Sequence, residues 1–82
     1  MEIAEKINSI VVSCLERNGA ELVDMTFKRE GGEMVLRVLA DKPAGITMDE
    51  CVHINHQLSE EFDGAGVIPE HYVLEVASPG LD

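Results

Sequence analysis

The chain has no tryptophan, a single tyrosine, Tyr72, and two phenylalanines, Phe27 and Phe62. Single-stranded nucleic acids are held largely by stacking bases on aromatic rings, so this scarcity argues against that mode of binding. Basic residues are scarce too: six Lys and Arg against sixteen Asp and Glu leave a net charge of −10. Lys and Arg bind phosphate backbones and anionic membranes by displacing counterions, so both surfaces should repel this domain in isolation. No apolar run approaches the ~18 residues of a membrane-spanning helix. Glu2, Glu5, Lys6, Glu16 and Arg17 interrupt the first twenty residues, which leaves no signal-peptide core. A cytoplasmic chain without a membrane partner is expected. Cysteine is limited to Cys14 and Cys51, at apolar helical positions and without a disulfide framework. They read as buried thiols in a reducing compartment, and the sequence leaves a disulfide between them open.

What is present suffices for one small core. A chain of 82 residues makes one domain, and at that size about 60–65% of the unfolded surface becomes buried. The acid is unevenly spread: residues 1–40 hold seven acids and five bases, residues 41–82 nine acids and one base, Lys42. A basic protein is the partner this charge favours; solubility alone is the plainer reading of it.

Periodicity then orders the elements. Ile3, Ile7, Ile10, Val11 and Cys14, with Leu15 beside them, form one helical stripe, predicting a helix from about Glu2 to Arg17 that stops at Asn18-Gly19. From Glu21 the period becomes two: Val23, Met25 and Phe27 alternate with Leu22, Asp24, Thr26 and Lys28. Gly31-Gly32 separates this run from Met34, Leu36, Val38 and Ala40, which predicts a β-hairpin. Arg37 interrupts the Val35 and Leu39 side, so one face of that strand is expected to be half covered. The loop from Asp41 to Gly45 leads into Thr47-Met48-Asp49-Glu50, a capping box opening a second helix from Met48 to about Phe62. Its stripe is Met48, Cys51, Ile54, Leu58 and Phe62, and Gly64-Ala65-Gly66 is its expected end. Alternation over Tyr72, Leu74 and Val76 predicts a third strand, and Pro79-Gly80 a turn out of it. The expected fold is α+β, a two-layer α-β-β-α-β sandwich with both helices on one face of a small mixed sheet. The neighbour of the third strand is left open.

Chemistry-bearing constellations are weak. Glu50, His53, His56 and Glu60 lie at spacings that can share a helical face, but no second ligand-bearing helix or Cys pair completes a metal site. A solvated face is the better reading, and no metal or cofactor is expected. Neither a nucleophile elbow nor a phosphate-binding loop occurs, so no catalytic residue is assigned.

Gly19 to Phe27, Arg29 to Gly32, Leu36 to Val38, Asp41 to Cys51 and Tyr72 to Asp82, in order and spacing, resemble the N-terminal domain of the RimP family of bacterial ribosome maturation factors. The most specific part is the Leu-Glu-Val strand ending in Ser78-Pro79-Gly80-Leu81-Asp82. The resemblance implies a non-enzymatic assembly factor that binds the immature small ribosomal subunit. It also implies a layout similar to prokaryotic KH domains and a C-terminal Sm-like barrel beyond residue 82, with Ser78 to Asp82 as the start of the interdomain linker. A KH domain grips nucleic acid through a Gly-x-x-Gly loop with basic neighbours, and this sequence has neither. Direct RNA binding is therefore not expected, and a KH-like module contacting rRNA is the alternative. Contact with a basic ribosomal protein through Asp24, Asp41, Asp49 and Glu75, acids of the matched motifs, is the expectation.

Overall fold

The computed structural model describes residues 2–68 and 70–79. The elements run α1 (Ile3–Arg17), β1 (Glu21–Glu30), β2 (Glu33–Asp41), α2 (Met48–Ala65) and β3 (Tyr72–Ala77). The strands form one sheet in the order β1-β2-β3, antiparallel between β1 and β2 and parallel between β2 and β3. A parallel neighbour requires a crossover of about a dozen residues or more, and α2 with its flanking loops provides it. That places β3 beside β2, the point the sequence left open.

Both helices cover the same face. Ile7, Val11, Cys14 and Leu15 of α1 and Cys51, Ile54, Leu58 and Phe62 of α2 are buried against Leu36, Val38 and Ala40 of the central strand. Each fully buried aliphatic side chain contributes about 1.5–3 kcal/mol of transfer free energy, so these rows hold the layers together. A polar clasp joins the helices at one end. Asn18 Nδ2 donates to Cys14 O at 2.8 Å and Gln57 Oε1 at 2.7 Å, and Arg17 meets Glu61 at 2.7 Å. Both cysteines are buried and unpaired.

The ends of the elements follow local chemistry. At the end of α1, Gly19 N–H donates to Glu16 O and Ala20 N–H to Leu15 O, with Gly19 at φ 71°. Those two bonds satisfy carbonyls that the helix itself leaves free. Gly31 and Gly32 take φ 57° and 87°, the pair of positive values that a two-residue hairpin turn demands. Thr47 and Glu50 form the expected reciprocal cap on α2.

Three expectations are corrected. Helix α2 does not end near Phe62: it runs through Gly64 to Ala65 and stops at Gly66 in the left-handed conformation, because Gly66 N–H still reaches Phe62 O at 2.9 Å. Met48 leaves the core stripe, being 61% exposed beyond the sheet edge. In β1, strict alternation puts Val23 inside and Leu22 outside, but the register slips between Leu22 and Asp24. One extra residue in a strand reverses the faces on either side of it. Leu22, Met25 and Phe27 therefore pack on the core together, and Val23 is 51% exposed.

Candidate partner-binding surface

Because both helices lie on one side, the opposite face of the sheet carries no layer of its own among the described residues. Residues directly opposite one another in a ladder share a face, so register assigns its occupants. Glu21 faces Asp41, Asp24 faces Leu39, Thr26 faces Arg37, Lys28 faces Val35 and Glu30 faces Glu33. On the other side of β2, Val73, Glu75 and Ala77 stand opposite Val35, Arg37 and Leu39. The uncovered face thus bears six carboxylates, those of Glu21, Asp24, Glu30, Glu33, Asp41 and Glu75, against Lys28 and Arg37. Val35, only 6% exposed, is shielded among these longer side chains.

Arg37 sits at the centre and is already engaged. It binds Glu75 at 2.5 Å and Glu30 on the other side. The bond from Arg37 holds the Glu30 carboxyl below the usual carboxylate range, and Glu30 and then Glu75 push the guanidinium pKa up. All three side chains are substantially exposed, so solvent screening leaves these pairs a small part in stability. Their effect is to neutralise one of the two cations of the face.

Of the four acids expected to meet a partner, Asp24, Asp41 and Glu75 lie on this face. Asp24 and Asp41 each accept their following backbone N–H at 2.9 Å, from Met25 and Lys42, which fixes their carboxylates locally. Asp49 does not join them: it is exposed in the first turn of α2, in the other layer, lining a hollow with Asn18, Lys42, Glu50 and His53. Lys42, the lone base of the second half, is bound to Glu50. That bond, with the Thr47 backbone N–H behind it, lowers the Glu50 pKa. Of the turn expected to lead out of β3, Ser78 is buried and Pro79 exposed; Gly80, Leu81 and Asp82 lie outside the described residues.

A second feature escaped the sequence. Along the outer edge of β3, two cavities of about 520 and 250 Å³ meet at Asn55. The helix wall is Met48, Val52, Asn55, Ser59 and Asp63, a stripe with its own helical spacing beside the core stripe. That spacing was available in the sequence, but its mixed polarity gave no signal without knowing that β3 lies alongside. Asn55 Nδ2 donates to Leu74 O at 3.2 Å. Tyr72 packs edge-on against Phe62 with ring centroids 6.1 Å apart. Its hydroxyl is buried without a hydrogen-bond partner, and the Ser59 hydroxyl falls short of bonding geometry. Burial raises the phenol pKa, the Asp63 carboxylate raises it further, and Ser59 pulls weakly the other way.

Other chemistry is weaker. Among the described residues no group of three or more His, Cys, Asp or Glu side chains is placed to hold a metal ion. Burial pushes the Cys14 thiol up to about 11, with Glu61 adding to it, and burial raises Cys51 likewise. Thiols so protonated at neutral pH are poor nucleophiles. No helix among the described residues is long and apolar enough to cross a membrane. A scan of protein families matches residues 10–82 to the family described as the RimP N-terminal domain. The α-β-β-α-β order and the near-complete span agree with the motif resemblance, and the chain belongs to the RimP N-terminal domain family of ribosome maturation factors.

Proposed function

We propose that this domain is a non-enzymatic, cytoplasmic protein-binding module that engages the immature small (30S) ribosomal subunit through a basic ribosomal protein. The observation that carries the reading is the uncovered sheet face, six carboxylates with one of its two cations already paired to Glu30 and Glu75. Such a face attracts a basic protein, raises the association rate and repels bare phosphate. Asp24, Asp41 and Glu75 are the carriers on this face. Asp49 contributes from the far layer only to the long-range field, beyond its favourable place at the start of α2. Ser78 and Pro79 lead the chain away from β3 toward a second domain, an Sm-like barrel that contacts the same subunit. The KH-like alternative, direct rRNA binding, runs against the same carboxylates.

Binding of the chain to purified small-subunit proteins and to rRNA fragments over a salt series tests the reading. Association with one or more basic proteins is expected, weakened by charge reversal at Asp24, Asp41 or Glu75. Tight rRNA binding with a steep salt slope, or reversals without effect, would sink it.

A further inference from the structure

We infer that the basic partner docks as an added strand: an extended segment of it pairs with the outer edge of β3 and fills the groove between β3 and α2. This rests on the proposed binding of a basic protein and assigns where and how that protein is held.

Among the described residues β3 is an edge of the sheet, paired with β2 on one side. The Leu74 carbonyl accepts from Asn55 Nδ2 of the flanking helix, and we read the Leu74 backbone as directed to the outer side of β3. Along a strand of a parallel pair, successive residues direct their backbone groups to alternate sides. Tyr72 and Val76 therefore point outward as well, and an extended peptide meets a ladder of N–H and C=O groups over the six residues of β3. Asn55 holds the place that a partner's backbone N–H takes. Edges left open in this way are the sites of strand addition unless the fold blunts them.

The other free edge is blunted. Strand β1 carries the bulge between Leu22 and Asp24, which disrupts regular pairing along that edge.

The groove identifies the occupant. Side chains of an added strand alternate between its two faces. Those turned toward α2 enter the two cavities: one end offers exposed apolar surface from Met48 and Val52, 61% and 50% exposed, the other the exposed carboxylate of Asp63. Those turned away fall on the uncovered face beside Val73 and Glu75. An extended segment with an apolar residue over Met48 and Val52 and basic residues over Asp63 and Glu75 complements every station. A second copy of this chain, itself at −10, is repelled, and so is a nucleic acid.

The test screens overlapping synthetic peptides of about twelve residues, twice the length of β3, drawn from the basic small-subunit proteins. The tightest binder is then used in amide hydrogen-exchange NMR of the whole chain. Slowing of the Tyr72, Leu74 and Val76 amides is expected, with β1 unchanged. Val52→Lys and Asp63→Lys, both at exposed positions, are each expected to weaken binding about tenfold, equivalent to ~1.4 kcal/mol. Glu16→Lys, the same charge change as Asp63→Lys but at an exposed position of α1 outside both the groove and the uncovered face, should alter it less than about twofold. Protection elsewhere, with Val52→Lys and Asp63→Lys silent, overturns strand addition and leaves the basic-protein reading standing. Failure of every peptide, or binding of a single-stranded RNA that Asp63→Lys strengthens, overturns both.

Discussion

The Thr47→Ala substitution probes the start of α2 and separates two contributions that meet at Glu50. Thr47 Oγ1 accepts the Glu50 N–H at 3.1 Å, and Glu50 Oε1 accepts the Thr47 N–H at 3.0 Å. The second Glu50 oxygen is held by Lys42. Removing the hydroxyl leaves one helix N–H without its partner, a loss of about 1 kcal/mol at such caps. Against a total of roughly 4–12 kcal/mol for a domain this size, that is a sizeable fraction. It lowers Tm by about 4–8 °C, and with a urea m-value near ~1 kcal/mol per molar it moves the midpoint by about 1 M. Glu50→Gln behaves differently with pH. Lys42 first and Thr47 second lower the Glu50 pKa below its ordinary 4.5. A depressed carboxyl contributes stability that is present above the unfolded pKa and lost as pH falls through the folded one. The gap between Glu50→Gln and the parent chain should therefore narrow as pH falls below the ordinary 4.5 and through the lowered folded value, while the Thr47→Ala gap, which depends on a hydroxyl, persists. Urea melts of the three proteins at several pH values check this. A Thr47→Ala chain melting with the parent at neutral pH, or a Glu50→Gln gap indifferent to pH, would refute the capping account.

Further outcomes follow from burial. Leu58 is wholly buried, so Leu58→Ala should cost about 3 kcal/mol and be visible as a large drop in the urea midpoint. Val23→Lys at the exposed bulge should change stability by no more than about 0.5 kcal/mol, whereas Leu22→Lys, on the core side, should destabilise clearly in the same melts; the reverse order would remove the bulge. The Cys14 thiol, raised from 9.0 to about 11, should react with thiol reagents at pH 8 only at the rate of unfolding. Its raised pKa stabilises the fold below the ordinary thiol value, a contribution lost as pH climbs from 9.0 toward 11.

The sequence by itself determined the elements, because each is specified by a local signal. A period of 3.6 with a Gly stop sets α1, Gly31-Gly32 sets the hairpin, and Thr47 with Glu50 sets the start of α2. It also determined that one sheet face stays uncovered, since Arg37 stands among apolar neighbours where a second layer would have to bury it. The matched motifs carried the family as well, as the match over residues 10–82 shows. Only tertiary structure decided which residues meet. The slip at Val23 is invisible in a clean alternating run, since a bulge depends on the partner strand's register. The β1–β2 register puts Asp24 and Asp41 on one face and the pairing of β3 with β2 adds Glu75 to it, while Asp49, in an equally acidic stretch, is carried to the other layer by the crossover. The groove at Asn55 is likewise a product of that crossover. Its helix wall is written in one segment and its strand edge in another, and no local periodicity connects them.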